Sequence, residues 1–357
     1  MEAEALENVA AHTQEAMETI FSFVPALVLK SALLLQIPDI IASEGPCASL
    51  SLHQIAARLP TQTPNLDYLF RILRYLSARG VFIQSQAGDD TSEVRFSLSE
   101  CAKLMYVREN SHASLVPLAV MQTHEVMMAP WHRLHECVLQ GGHAFEKAHG
   151  MDIFAYGKDH PEVDSIINDC MASFTMTTMK QIVSCYRGFE ELGTVVDVGG
   201  GHGAALGVIV KAYPHIRGIN FDLHHVVQTA PSIPGIENVG GNMFESIPYG
   251  DGIFLKNVLH DWDDESCVKI LDNCYKALGE NGKLILLEAV VPNLKKPTES
   301  LEILSDLTMM AHGNGGRERS EKEWNKLLSK SSFYIIKITG HSRLHLKIVE
   351  AAKLKIM

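Results

Sequence analysis

Residues 194–203 read TVVDVGGGHG, and this stretch decides the fold. Its first five residues are apolar and β-branched apart from Asp197, the pattern of a strand buried on both faces. Gly199, Gly200, Gly201 and Gly203 follow at once, and AALGVIVKAY continues at helical period. Glycines between a strand and a helix let the backbone turn tightly and meet a ligand closely, with the helix N-terminus facing it. Downstream, GINFD (218–222), GIFLKNVL (252–259) and KLILLEAVV (283–291) are further apolar runs, alternating with helical stretches such as ESCVKILDNCYKAL (265–278). That alternation predicts a doubly wound α/β, Rossmann-like domain with a parallel sheet. Ligands in such sheets bind beyond the carboxyl ends of the strands, so the chemistry is expected there.

Spacing narrows the ligand. The dinucleotide fingerprint G-x-G-x-x-G requires glycine at position 206, where this chain has Leu206, which counts against a nicotinamide-dependent oxidoreductase. Asp197, Gly199, Gly201 and Gly203 form acid-x-G-x-G-x-G instead, which is similar to the layout of adenosylmethionine binders, where no pyrophosphate needs cradling. Asp222 closes the next strand about 20 residues beyond the glycines, where an acid grips ribose hydroxyls in such folds.

The N-terminal half is helical in period. Met17, Ile20, Phe21, Val24, Leu27 and Val28 share one face of a stretch from Ala16 to Leu35, which Pro25 should kink or divide. Ser51 is placed to cap a short helix, and TPNLDYLFRILRYLSARG forms a longer one closed by Gly80. VFIQSQ and EVRFSLS then read as two strands around the turn-rich AGDDTSE. Two helices and a hairpin make a winged-helix arrangement, a fold that often binds DNA. Arg71, Arg74 and Arg79 on the second helix are better read as solvated positions on a helix whose other face packs or dimerises, because the formal net charge is −11. From about Leu115 to Tyr186 the chain is again helical. Met121, Met127, Met128, Trp131, Phe145, Phe154, Met171, Phe174, Met176 and Met179 fall there, able to fill a core or wall a pocket for a flat apolar ligand.

A chain of 357 residues predicts two domains, and 46% apolar with 20% charged residues predicts a globular chain. No long uncharged apolar stretch predicts a membrane span, and the acidic MEAEALENVAAHTQEAMETI lacks a secretory-signal layout, so a cytoplasmic location is expected. The seven cysteines are scattered without a C-x-x-C pair, which indicates reduced thiols and no zinc site.

The strings VVDVGGGHG, INFDL, GNMFESIP, FLKNVLHDWDDE, GKLILLEAV and MMAHGNGGRERSEKEW, in this order and spacing, resemble the plant small-molecule O-methyltransferases of the caffeic acid/flavonoid type. The resemblance covers nearly the whole chain. It implies a winged-helix dimerisation domain over residues 1–115, a catalytic domain over 116–357, and S-adenosylmethionine as methyl donor. It implies that His260 is the general base, since an imidazole titrates near neutral pH and can take a phenol proton. Glu288 and Glu318 match family glutamates that flank and orient that histidine. The cofactor set implied is Gly199, Gly201, Asp222, Asn242, Met243, Lys256 and Asp261, and the substrate set Met121, Gln122, Met179, Met309 and Gly313. No metal is implied; Asp263, Asp264 and Glu265 are explained as acids in the first turn of a helix.

Two positions depart from the family pattern. Asn242 stands where aspartate is usual, so it accepts hydrogen bonds without charge assistance. Gly313 stands where lignin-precursor methylating relatives commonly carry asparagine, which suggests room for a bulkier phenol of lignan, isoflavonoid or alkaloid type. The expected reaction is methyl transfer to a phenolic hydroxyl of a plant specialised metabolite (phenylpropanoid, lignan, isoflavonoid or benzylisoquinoline), carried out by a homodimer without nucleic acid or membrane.

Overall fold

The computed structural model describes residues 2–87, 90–105, 114–293, 300–340 and 345–354. The chain divides into two units, Met1–Glu125 with Ile166–Ser173, and Val126–Ser165 with Phe174–Met357. The first opens with helices α1 (Glu2–Ile20) and α2 (Val24–Leu34), bent by 44° at the break between them. Pro25 lies in the first turn of α2, where the missing N–H has no intrahelical partner to lose. No single helix among the described residues is long and apolar enough to cross a membrane.

After α3 (Ile37–Ala42) and β1 (Ser49–Ser51), Ser51 caps α4 (Leu52–Ala56) with a reciprocal pair of bonds: its hydroxyl accepts the Gln54 N–H, and the Gln54 side chain accepts the Ser51 N–H. Asn65 caps α5 (Leu66–Ala78), and Gly80, at φ +74°, ends that helix. Strands β2 (Phe82–Ala87) and β3 (Asp90–Leu98) complete an antiparallel sheet in the order β1-β3-β2. Leu50, Ile55, Leu69, Leu73, Phe82 and Phe96 form its core, so the helix–helix–hairpin pattern is realised. Residues 88–89, inside the expected AGDDTSE turn, lie outside the described residues. Helix α6 (Val116–Gln122) belongs to the same unit.

The second unit carries α7 (Glu125–Met128) for most of its length, α8 (Leu134–Gln140), α9 (Ala144–His149), α10 (Ile153–Asp159) and the two ends of α11 (Pro161–Cys185). Strand β4 (Thr194–Val198) then begins the sheet, followed by α12 (Ala204–Ala212), β5 (Arg217–Asp222), α13 (His224–Val227), β6 (Ile236–Gly240), β7 (Gly250–Lys256), α14 (Asp264–Ala277) and β8 (Leu278–Val291). Helix α15 (Leu301–His312), β9 (Arg319–Ser320), α16 (Glu321–Lys330), β10 (Phe333–Thr339) and β11 (Leu346–Lys353) finish the chain.

The strand order is β10-β11-β8-β7-β4-β5-β6, with β9 pairing only β8. Strands β6, β5, β4, β7 and β8 are parallel, while β11 and β10 are antiparallel additions at one edge. The central strands are buried on both faces, and their side chains divide by alternation. Val196, Val198, Ile253, Leu255, Leu284 and Leu286 pack with α14 and α16, while Val195, Phe254, Ile285 and Leu287 pack with α11 and α12. The chain reverses its direction of winding at β4, so the carboxyl ends of β4 and β7 are where such a sheet takes its ligand.

Candidate active site

At the end of β4 the loop 199–203 turns through positive φ at Gly199 (+71°), Gly201 (+56°) and Gly203 (+77°). It is backed by Asn220, whose amide donates to the Gly201 carbonyl at 2.9 Å; a Cβ on Gly200 would stand 2.2 Å from the Asn220 Oδ1. Gly201 has open space where a Cβ would go, so it is the loop's open side. Asp222, at the end of β5, accepts the Gly201 N–H on Oδ2 at 2.8 Å and the Leu223 N–H on Oδ1 at 2.7 Å. Each oxygen keeps a lone pair for a further donor. Behind the loop, burial pushes the Asp197 carboxyl up to about 7; Lys256 opposes this and Asp222 adds to it. The Asp197 Oδ2 is buried without a hydrogen-bond partner.

The second cluster is built by β7, β8 and the segment before β9. A short 3-10 turn, Leu259–Asp261, follows β7 and carries His260, which is buried. The His260 Nδ1 lies 2.9 Å from Glu318 Oε1 and 3.8 Å from Glu288 Oε2. Glu288 is wholly buried in β8, and its Oε1 accepts the backbone N–H groups of Val258 and Leu259 at 3.2 and 2.9 Å. It therefore holds the backbone of the turn as well as facing the ring. Paired with a carboxylate oxygen, Nδ1 carries a proton, so Nε2 is the nitrogen that gains and loses the titrating one. The neighbour of Nε2 is Asp261 Oδ1 at 3.6 Å, beyond hydrogen-bonding distance.

Burial works against a charged imidazole here, but the charges of Asp261, Glu288 and Glu318 outweigh it and push His260 up to about 10. Burial also drives Glu288 up to about 7, with His260 pulling it down and Glu318 pushing it further up. Asp261 is raised by burial, with His260 opposing. The site is thus a proton-binding cluster in which several carboxylates compete around one ring.

A buried arginine that sequence reasoning missed holds this cluster in place. The Arg319 side chain, fully buried, donates to the carbonyls of Leu259 at 3.0 Å and Trp262 at 2.9 Å, and to Asp264 Oδ1 at 3.1 and 3.0 Å. It ties both ends of the turn bearing His260 to Asp264 at the start of α14. No sequence signal marks it, because Arg317 on the other side of Glu318 is exposed while Arg319 is buried. Ser305 and Asp306 on α15 were missed too: Ser305 donates to Glu318 Oε1 at 2.7 Å, and Asp306 Oδ1 accepts the Glu318 N–H at 2.9 Å. A mid-helix serine and aspartate give no sequence signal, because they read as solvated.

The other expected residues separate into several environments. Asn242 follows β6 and uses its amide locally, accepting the Phe244 N–H at 3.0 Å and donating to Glu245 at 3.1 Å. Met243 packs against the core, and its carbonyl accepts from Asn273. The Lys256 ammonium lies 5.5 Å from the Phe174 ring centroid at the end of β7. Met309 is half-buried on α15, whereas Met179 is wholly buried in the core with Ile182, Tyr186 and Phe189 and presents no surface. Gly313 caps α15 so closely that a Cβ would meet the Met309 carbonyl oxygen at 2.7 Å. The glycine is therefore demanded by the helix end itself, in addition to any room it leaves. Met121, buried, and Gln122, half-buried, lie on α6 of the first unit.

A glycine turn against a strand-end aspartate, beside a histidine held by two glutamates, defines a group-transfer enzyme on a doubly wound sheet. The family model for the O-methyltransferase domain matches residues 131–334, and that for the O-methyltransferase dimerisation domain matches residues 17–108. The chain belongs to this family of S-adenosylmethionine-dependent O-methyltransferases. It is 42% identical over 323 residues to a caffeic acid 3-O-methyltransferase of Catharanthus roseus, covering 89% of each chain. It is also 42% identical over 324 residues to an esculetin O-methyltransferase of Kitagawia praeruptora, covering 89% of this chain and 88% of that one. Among solved structures, LaPhzM is similar at 30% identity and TM-score 0.78, covering 96% of this chain and 99% of that one. The fold is shared with CalO1, a methyltransferase of calicheamicin biosynthesis, at 24% identity and TM-score 0.83, covering 98% of both chains.

Proposed function

We propose that this protein methylates a phenolic hydroxyl of a plant specialised metabolite, with His260 as general base. The observation that carries the reading is the 2.9 Å contact between His260 Nδ1 and Glu318, with Glu288 at 3.8 Å, which fixes the ring and leaves Nε2 able to take a proton. Glu288 and Glu318 stabilise the imidazolium as it forms, and Glu288 also pins the turn through two backbone amides. Relatives that act on caffeic acid and esculetin support a phenol as acceptor.

The residues at these strand ends suit the methyl donor. Gly199 and Gly201 provide a backbone surface without side chains, and Asp222 has lone pairs for ribose hydroxyls. Lys256 ends β7 and Met243 follows β6, the strands that flank β4 and β5. Asn242 is engaged in its own turn, so its share in cofactor binding rests on the shape of that turn. When bound, the cofactor supplies an electrophilic methyl carbon on a sulfonium leaving group. Asp261 borders Nε2 on the side where the acceptor hydroxyl must arrive.

For the acceptor we assign Met309 and Gly313 around α15; Met179, having no exposed surface, belongs to the core beneath the sheet's helices. The clustered donor atoms of His260, Glu288 and Glu318 lie within 4.8 Å of one another, and in this reading they hold a proton, with no metal required. Residues 1–115 serve pairing with an identical chain and 116–357 catalysis, in the cytoplasm, without nucleic acid or membrane. Exposed Met17, Ile20, Phe21, Phe23 and Leu27 on the first helices support the pairing.

The test incubates the purified protein with methyl-labelled cofactor and hydroxycinnamates, coumarins, lignans, isoflavonoids and benzylisoquinolines. Label on one phenol class supports the reading and names the substrate family. Cofactor binding with no phenol labelled across the panel refutes it.

A further inference from the structure

Helix α15 is packed against the grain of its own sequence. Leu301, Leu304, Leu307 and Met310 are exposed at 59%, 55%, 37% and 46%, while Ser305, Asp306 and Met309 turn inward. A surface helix normally buries its apolar stripe and solvates its polar one. Here the inward polar positions have work to do. The Ser305 hydroxyl donates at 2.7 Å to Glu318 Oε1, the same oxygen that His260 Nδ1 meets at 2.9 Å. One residue further along, Asp306 Oδ1 accepts the Glu318 N–H. Two adjacent side chains of one helix therefore grip one glutamate by its side chain and its backbone.

We infer that Ser305 is a positioning residue of the base site: through Glu318 it sets the orientation of His260 and how tightly that ring holds its proton. The inference rests on the proposed role of His260. A hydroxyl donating to a carboxylate oxygen disperses part of its charge and competes with the imidazole for the same lone pairs. Without Ser305, Glu318 leans on His260 alone, and the imidazolium becomes more stable. The groups facing the ring are Asp261 from its own turn, Glu288 from β8 and Glu318 before β9; Asp306 from α15 and His345 before β11 act on Glu318. Of these contacts to Glu318, the Ser305 hydroxyl is the one that a single atom deletion removes without changing any charge. Met309, one turn along from Ser305 on the same face, belongs to the proposed acceptor wall, so the clasp also ties that wall to the base.

The experiment follows the His260 ring by NMR in the full-length protein, its signal assigned by its loss in His260→Gln. Ser305→Ala is expected to raise the titration midpoint of His260 by roughly half a pH unit or more, and to move the rising limb of kcat/KM in the same direction. Ser305→Thr keeps the hydroxyl and is expected to restore both. An unchanged or lowered midpoint in Ser305→Ala overturns the inference, as does failure of Ser305→Thr to differ from it. Because the ring titration is read without turnover, it separates this inference from the base assignment: full turnover in His260→Gln would sink the latter alone.

Discussion

Replacing Arg319 by methionine tests how the buried guanidinium holds the turn that carries His260. Methionine fills a similar volume but offers no donor. The carbonyls of Leu259 and Trp262 then lose their donors at 3.0 and 2.9 Å, keeping weak contacts from the Cys267 thiol at 3.2 and 3.5 Å and, for Leu259, a long bond from the Trp262 N–H at 3.4 Å. Each buried acceptor left without a good partner costs about 1–3 kcal/mol. Asp264 is partly exposed and has Arg317 and Lys330 near 3.9 Å, so water and those cations absorb most of its loss. Relief of the guanidinium's own desolvation returns part of the total, leaving a net destabilisation of about 2–4 kcal/mol. In a unit of this size each kcal/mol lowers the Tm by about 2–4 °C, so thermal unfolding should move down by roughly 4–16 °C. Freed on one side, the turn lets His260 drift, and a displacement of about 1 Å can cost about 100-fold in kcat. The assay pairs differential scanning calorimetry with labelled-methyl turnover below the new transition. A Tm within a degree of the parent together with unchanged kcat would refute the argument that Arg319 closes the turn.

His260→Gln should lower turnover by about 10²–10⁴-fold while calorimetric cofactor affinity stays within a few-fold, since in its proposed role the ring takes the proton and does not grip the donor; a loss below tenfold would remove the base assignment. Because His260 is pushed up to about 10 and acts as a base only when it has lost its proton, kcat/KM should rise with pH along a limb centred well above 6.5, and a limb centred at or below 6.5 would contradict the carboxylates' hold on the ring. Asp222→Ala removes the acceptor of the Gly201 N–H and the proposed ribose partner together, so cofactor affinity should fall by about tenfold to a hundredfold with little change in Tm, read by titration calorimetry. Turnover should be indifferent to exhaustive treatment with a strong chelator; inhibition reversed by one divalent metal would reassign His260, Glu288 and Glu318 as its ligands.

Much of this architecture follows from local physics that the sequence carries by itself. Near-continuous apolar runs in 194–198 and 283–291 specify strands buried on both faces, and side-chain period alone sorts Val195 from Val196 onto opposite cores. Ser51 with Gln54, Pro25, Gly80 and the glycines of 199–203 act through backbone conformations that depend on neighbours a few residues away, so they were legible in advance. The histidine and its two glutamates were legible only through the resemblance of their motifs, because Glu318 reaches His260 across 58 positions of chain and no periodicity reports such a distance.

Tertiary structure decided the rest. It turned Ser305 and Asp306 of α15 inward, against the hydrophobic pattern, where they meet the side chain and the backbone of Glu318. Packing around the 259–262 carbonyls buried Arg319, since a fork of five donors could satisfy them. Asn242 was absorbed into its own turn, and Gly313 was set against the Met309 carbonyl, where shape allows no Cβ. Each of these depends on which groups a folded chain leaves unsatisfied, a quantity that exists only once distant segments have met.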